Sequence, residues 1–210
     1  MISNPDLHYE RGFWRTSFKY IAGLDEAGRG ALAGPVAAAV VILPNDDPHL
    51  ARTLSGSRDS KQMTPLARAR LAPRIKATAL CWGIGFASSL EIDSQGIVAA
   101  TRLAALRALE SLPIIPDYLL TDFRLELPEL DIPQTSLVKG DQQSLSIAAA
   151  SILAKTARDE HMRELDSQFS DYGFARHKGY GTLKHREMIA QIGHCPIHRK
   201  SFVVKSLQAA

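Results

Sequence analysis

Residues 36–43 form an unbroken apolar run, Val-Ala-Ala-Ala-Val-Val-Ile-Leu, which constrains the fold more than any other segment. The run lacks the polar–apolar alternation of a half-exposed strand, so it predicts a strand that is buried on both faces. Pro44 ends the run. A strand of this kind favours a sheet that is covered by helices.

Four further segments are predicted as strands and four as helices. The predicted strands are 18–24, 80–87, 118–122 and 135–138. The predicted helices are 65–78, 91–112, 146–169 and 182–192. The order predicts an α/β fold with a mixed five-stranded sheet flanked by helices. We divide the chain into an N-terminal segment (1–17), a main domain (18–170) and a small helical C-terminal extension (171–210) packed on the same domain.

The composition is that of an ordinary globular domain. The chain has 210 residues, 45% of them hydrophobic, and a formal net charge of +3, which permits a nucleic-acid partner without establishing one. Cys81 and Cys195 do not have the CxxC or Cys/His spacing of a zinc site, which argues against structural zinc. The use of only two distant cysteines fits a reducing compartment. No apolar signal region or membrane-length run is present. We expect a cytoplasmic protein without a membrane partner.

Acidic residues fall at or just after the carboxyl ends of three predicted strands. They are Asp25 with its neighbour Glu26, Asp122, and Asp141. Because ligands gather beyond the carboxyl ends of parallel strands, three elements can deliver carboxylates to one place. Adjacent carboxylates repel each other unless a cation offsets them, and Mg²⁺ and Mn²⁺ prefer carboxylate oxygens. The pattern indicates a metal-dependent enzyme that acts on phosphodiesters. Taken alone, Asp141 could instead cap the helix that follows it.

Basic and glycine residues supply candidate phosphate ligands. The loop Gly28-Arg29-Gly30 lets backbone amides approach a ligand closely and adds a cation that suits phosphate. Lys61 is either a second phosphate ligand or a solvated loop lysine. A basic C-terminal set is interpreted as phosphate-contacting surface, with a plain solvated face as the alternative: His177, Lys178, His198 and Arg199.

Five motifs occur in order between residues 20 and 202. They are Asp25-Glu26-Ala27-Gly28-Arg29-Gly30, Asp59-Ser60-Lys61, Lys139-Gly140-Asp141, the run 146–155, and His177-Lys178-Gly179-Tyr180. Each motif alone is a weak signal, but the ordered set closely resembles ribonuclease HII, the prokaryotic type 2 ribonuclease H. The resemblance covers nearly the whole chain.

The resemblance implies a ribonuclease H-like fold and cleavage of RNA in RNA–DNA hybrids, including single ribonucleotides embedded in duplex DNA. It implies two-metal catalysis with Mn²⁺ or Mg²⁺, products with 5′-phosphate and 3′-hydroxyl ends, and roles in replication and ribonucleotide excision repair. The implied metal-binding and catalytic acids are Asp25, Glu26, Asp122 and Asp141. The implied substrate-binding residues are Gly28, Arg29 and Gly30 at the ribose 2′-hydroxyl and nearby phosphate, Lys61, and Tyr180 near the sugar at the RNA–DNA junction. The implied partners are these nucleic acids, and we expect a monomer.

Three positions depart from the family pattern. Phe123 follows the third acid in place of glycine, Ala31 replaces a proline, and Gly96 replaces an asparagine. Two rival functions stay open: another metal nuclease or strand transferase of the same fold, and a non-catalytic hybrid-binding module. The complete set of acids speaks against the second rival, because bare carboxylates weaken binding to a phosphate backbone.

Overall fold

A computed structural model describes residues 5–57, 59–123 and 125–203. Five strands form one sheet in the order β3-β2-β1-β4-β5. They are β1 (Ile21–Ala27), β2 (Val36–Ile42), β3 (Cys81–Ala87), β4 (Tyr118–Asp122) and β5 (Gln134–Leu137). The β1–β2 and β2–β3 pairs are antiparallel, whereas β1–β4 and β4–β5 are parallel. The predicted α/β class with a mixed five-stranded sheet is confirmed.

Helices cover this sheet. In the described part of the chain they are α1 (His8–Trp14), α2 (Leu50–Thr53), α3 (Pro65–Thr78), α4 (Ser89–Glu110), α5 (Leu145–Gln168), α6 (Phe174–His177) and α7 (Leu183–Ile192). Short 3₁₀ turns lie at Ser60–Gln62, Gly140–Gln142 and Ser170–Tyr172. The predicted start of α3 is confirmed, since the Thr64 side chain accepts a hydrogen bond from the Ala67 N–H and Pro65 follows. Helix α1 lies in a segment for which we predicted no element.

The apolar run of β2 is buried on both faces, as predicted. Val40 and Ile42 belong to the same core cluster as Ala104 of α4. Val41, which points the opposite way, belongs to the cluster that contains Ile152 of α5 and residues of α3. The sheet is therefore a middle layer between α4 on one side and α3 with α5 on the other.

Strand β1 begins and ends three residues later than the predicted strand 18–24. Asp25 pairs with Ala39 and Glu26 with Ala38 in the β1–β2 ladder. The two acids therefore lie inside the strand rather than just beyond it. The prediction was wrong because the backbone pairing with β2 outweighs the low β-propensity of acidic residues.

The start of α5 lies directly against β1. A Cβ atom on Gly23 would stand 2.2 Å from the Ser146 carbonyl carbon and 2.4 Å from the Ile147 nitrogen, so only glycine fits there. Ala148, Ala149 and Ala150 follow and are fully buried. This close packing, which the small residues permit, brings the first turns of α5 beneath the acid pair.

The C-terminal part packs around a small apolar cluster that includes Tyr172, Phe174 and Ile189. In the described part of the chain, no helix combines the length and apolar character that crossing a membrane requires. The boundaries at 17/18 and 170/171 stay predictions, and residues 1–4 and 204–210 of the two terminal segments lie outside the described residues.

Helix α4 contains a kink at Gly96, one of the three positions that depart from the family pattern. Gly96 has φ 81° and ψ 159°, a non-helical conformation that glycine adopts readily. A Cβ atom there would meet no atom within 4 Å. The substitution is therefore compatible with the kink, and it lies in the helix layer rather than in the sheet.

Candidate active site

Three neighbouring strands bring the four predicted acids to one edge of the sheet. Asp25 and Glu26 lie near the end of β1, Asp122 is the last residue of β4, and Asp141 lies in the 3₁₀ turn after β5. The Gly140 N–H donates a hydrogen bond of 2.7 Å to Asp122 Oδ1, which ties the end of β4 to the Asp141 turn. The parallel pairing of β1, β4 and β5 places these ends side by side.

Negative charge accumulates at this edge. Burial, together with the charges of Glu26 and Asp122, raises the pKa of Asp25 well above its usual value. Burial also raises the pKa of Glu26, although the Arg29 guanidinium, 3.4 Å from Glu26 Oε1, opposes this. The pKa of Asp141 rises to about 7 because of burial and the charges of Asp59 and Asp122. A bound cation would relieve this mutual repulsion.

The donor set fits a hard divalent cation. It consists of carboxylate oxygens, and Glu26 Oε2 is buried without a hydrogen-bond partner among the described residues. Across residues 5–57, 59–123 and 125–203, no three His, Cys, Asp or Glu side chains already form a metal-binding group.

Lys61 lies among these acids. The Asp59 side chain caps its turn by accepting a hydrogen bond of 2.9 Å from the Lys61 N–H. Burial works against the charge of Lys61, but its pKa is raised overall by four surrounding carboxylates: Asp25, Asp59, Glu26 and Asp141. Its ammonium group thus lies within the electrostatic reach of the acidic edge.

The loop 28–30 leaves β1 in a conformation that requires glycine at its first position. Gly28 has a φ of +96°, and a Cβ atom there would stand 1.9 Å from Arg158 Nε. The Ala31 N–H donates to the Gly28 carbonyl at 3.2 Å, which closes a tight turn. Gly30 is exposed, with open space where a side chain would be. Alanine at position 31 fits this buried turn without strain.

Tyr180 lies in the C-terminal part beside the same loop. Its ring is half-buried, with Lys155 Nζ and Arg158 Cζ each 5.3 Å from the ring centroid. The Gly179 carbonyl accepts a hydrogen bond of 2.8 Å from the Leu32 N–H. The C-terminal part is thereby fastened to the chain that follows the 28–30 loop.

The interpretation of the basic C-terminal set as phosphate-contacting surface is wrong for three of its members. His177 is 9% exposed, and His198 and Arg199 are each 1% exposed. The histidines pack with Phe174 and His185 in a cluster of rings, and Arg199 donates to three backbone carbonyls. Lys178 is half-buried and its ammonium group donates to the Ala175 carbonyl.

Two residues at the site escaped sequence reasoning. Arg158 of α5 is fully buried and donates to the carbonyls of Ala33, Pro35 and Lys178. Asp59, which the sequence suggested only as part of the Asp59-Ser60-Lys61 motif, also raises the pKa of Asp141. No local pattern distinguishes Arg158 from a solvent-facing helix arginine, because its partners are 20 to 125 positions away.

Comparison with known proteins gives the family. A family model described as "Ribonuclease HII" matches residues 22–205. The chain belongs to the ribonuclease HII family. A ribonuclease HII from Moorella thermoacetica is 54% identical to it over 194 residues, which cover 92% of this chain and 91% of the relative. The resemblance based on the five motifs is confirmed.

Solved structures of the type 2 ribonucleases H share its fold. The ribonuclease H2 of Pyrococcus horikoshii superimposes with a TM-score of 0.73 at 25% identity, over 87% of this chain and 93% of that one. A structure described as Bst-RNase HIII in complex with Mn²⁺ gives a TM-score of 0.60 at 21% identity, over 83% and 63% of the two chains. The predicted ribonuclease H-like fold is therefore confirmed.

Family membership establishes the general activity. As a ribonuclease HII, the chain is a hydrolase with ribonuclease H endonuclease activity, and it acts on RNA-containing nucleic acid. This excludes the non-catalytic binding module among the rival functions.

Proposed function

We propose that this ribonuclease HII cuts both the RNA strand of RNA–DNA hybrids and single ribonucleotides embedded in duplex DNA. It does so with Mn²⁺ or Mg²⁺, and the products carry 5′-phosphate and 3′-hydroxyl ends. The single observation that carries the proposal is the meeting of carboxylates from β1, β4 and the turn after β5 beside the open 28–30 loop.

The acidic residues would hold the metal. Asp25, Glu26, Asp122 and Asp141 supply carboxylate oxygens, and the unpartnered Glu26 Oε2 is a ready ligand atom. Two divalent ions held by these residues would supply activation of a water molecule and stabilisation of the leaving 3′-oxygen. The raised pKa values of Asp25, Glu26 and Asp141 support this role, since a cation would favour their charged forms. A solved ribonuclease HIII structure with a similar fold is described as a complex with Mn²⁺, which supports the choice of a divalent cation.

The residues beside the acids would select and position the substrate. Gly28, Arg29 and Gly30 would contact the ribose 2′-hydroxyl and the adjacent phosphate, since the 2′-hydroxyl distinguishes RNA from DNA. The ammonium group of Lys61 would orient a phosphate next to the carboxylates. The half-buried ring of Tyr180 would stack on the sugar at the RNA–DNA junction.

A cleavage assay with three duplexes tests the proposal. The substrates are an RNA–DNA hybrid, a DNA duplex with one embedded ribonucleotide and an all-DNA duplex of the same sequence. Each is incubated with Mg²⁺, with Mn²⁺ and with EDTA. We expect cleavage of the first two substrates only, only with metal, and 3′-hydroxyl ends that a polymerase can extend.

Three results would contradict specific parts of the proposal. Cleavage of the all-DNA duplex would favour a general metal nuclease of the same fold. Cleavage of the hybrid without cleavage at the single ribonucleotide would restrict the substrate to longer RNA. Undiminished cleavage in EDTA would remove the metal from the mechanism.

A further inference from the structure

Arg199 lies buried beneath the 28–30 loop and holds its backbone. Its Nη2 donates to the Gly28 carbonyl and its Nη1 to the Arg29 carbonyl, each at 2.8 Å. Its Nε donates to the Gly34 carbonyl at 3.0 Å. The side chain is 1% exposed, and in the described part of the chain no carboxylate lies within ion-pair distance of it. All three nitrogen atoms of its guanidinium therefore donate hydrogen bonds to backbone carbonyls.

This arrangement determines where the amide groups of the loop point. In a trans peptide the N–H is directed opposite to the C=O of the same unit, and the described residues contain no cis peptide bond. Because the Gly28 and Arg29 carbonyls face Arg199, the N–H groups of Arg29 and Gly30 face away from it. Neither N–H has an acceptor among the described residues. Two adjacent open donors are thus presented on the outer side of the loop.

A second guanidinium strengthens the positive charge behind these donors. Arg158 lies against Gly28. Burial, together with the charge of Arg158, lowers the pKa of Arg199 to about 9, which leaves Arg199 charged at neutral pH. Arg158 donates to the carbonyls of Ala33, Pro35 and Lys178. These acceptors differ from the three carbonyls to which Arg199 donates. Open amide donors backed by buried cations favour an electron-rich oxygen as ligand.

We propose that Arg199 is a positioning residue for substrate selection: by holding the Gly28 and Arg29 carbonyls, it aims the Arg29 and Gly30 N–H groups at the ribose 2′-hydroxyl and its neighbouring phosphate. Arg199 touches no substrate itself and acts only through the loop. The proposal rests on the proposed function, and it assigns to a buried C-terminal side chain the geometry of a loop 170 positions earlier in the chain.

The test measures selectivity rather than activity alone. Binding to the duplex with one ribonucleotide and to its all-DNA counterpart is compared for Arg199→Ala and Arg199→Lys, each in the cleavage-deficient Asp122→Asn background. Misdirecting two hydrogen-bond donors weakens the contacts that are specific to the ribonucleotide, so we expect the preference of Arg199→Ala for the ribonucleotide to fall about tenfold. Affinity for the all-DNA duplex should hardly change. Arg199→Lys keeps the charge but replaces three donor nitrogens in a rigid planar fork by a single nitrogen, so it should also lose preference.

Chemical rescue and a matched control separate positioning from general stability. In the otherwise wild-type background, millimolar guanidinium, far below denaturing concentrations, should restore part of the cleavage by Arg199→Ala. Ile75→Ala removes a fully buried side chain of α3 away from the loop. It should lower stability without changing the ribonucleotide preference and without responding to guanidinium.

Different experimental results reject the proposed function and the role of Arg199. If the wild-type chain does not cleave at the single ribonucleotide, the proposed function fails. If it does, and folded Arg199→Ala keeps the full ribonucleotide preference, only the role of Arg199 is rejected. If neither Arg199 variant folds, the side chain is structural and the inference is equally rejected.

Discussion

Glu10 of α1 is joined to Ser146 in the first turn of α5 by two hydrogen bonds. Glu10 Oε1 accepts from the Ser146 N–H at 2.9 Å and from the Ser146 hydroxyl at 2.7 Å. The Ser144 hydroxyl donates to the same oxygen at 2.6 Å. A carboxylate is favoured at a helix N-terminus, where N–H groups are unpaired. The N-terminal helix thus fastens the helix that underlies the acid pair.

Glu10→Ala should destabilise the fold by about 2–4 kcal/mol, because it leaves several buried donors without an acceptor. Urea denaturation at pH 7 measures this loss. Glu10→Gln keeps one acceptor oxygen and should lose less. An unfolding midpoint of Glu10→Ala equal to that of the wild type would show that the link contributes nothing.

Asp122→Asn should reduce kcat/KM at least about 100-fold, because the proposed metal site would lose a charge worth several kcal/mol in the transition state. The asparagine oxygen can still accept from the Gly140 N–H, so the turn that carries Asp141 should stay in place and substrate binding should remain measurable. Asp131→Asn, a change at an exposed loop acid, is the control and should leave the rate unchanged. Turnover of Asp122→Asn at the wild-type rate with saturating metal would remove Asp122 from the catalytic set.

Tyr180→Ala should slow cleavage at a single embedded ribonucleotide. Stacking of an aromatic ring on a base contributes about 1–3 kcal/mol, and packing on a sugar buries less π surface, so we expect a loss toward the lower end, roughly 5- to 10-fold. Tyr180→Phe keeps the ring and its contacts with Lys155 and Arg158, so it should retain most of the rate. Single-turnover kinetics on that duplex measures the difference. Equal rates for the alanine variant and the wild type would argue against a role at the junction.

Acid should destabilise the C-terminal part through His185 and His198. The Cys195 N–H donates to His198 Nδ1 at 2.9 Å, so His198 carries its proton on Nε2 and donates to His185 Nε2 at 3.1 Å. His185 Nδ1 then donates to the Tyr180 carbonyl at 2.9 Å. This chain requires neutral rings. Burial, with the charges of neighbouring histidines, lowers the pKa of each ring to about 4.

Because each folded-state pKa lies below the unfolded value of about 6.5, the unfolded chain binds more protons between these limits. Stability is therefore complete above pH 7 and is lost as the pH falls toward 4. We expect a loss of roughly 2–4 kcal/mol between pH 7 and pH 5. Urea denaturation at both pH values measures it. His198→Phe should flatten this pH dependence, whereas a change at exposed His49 should not. An equal slope for His198→Phe would contradict the assignment.

The sequence alone determined the layered fold and the four acids. The apolar run 36–43 predicted a strand covered on both faces, and the start of α3 was predicted at residue 65. Asp25, Asp122 and Asp141 were placed near strand ends by local patterns of hydrophobicity, which depend on nearest neighbours in the chain. The five ordered motifs identified the family for the same reason, since they are short and local.

Only the tertiary structure decided what supports the site. The true end of β1 depended on its pairing with β2, and the partners of Glu10, Arg158 and Arg199 lie far away in the sequence. A basic residue near a chain terminus resembles a solvated surface residue, because sequence does not record which carbonyls face it. Arg199 is therefore buried rather than exposed to phosphate. In the folded chain, three carbonyl oxygens accept the hydrogen bonds that its guanidinium would otherwise donate to water.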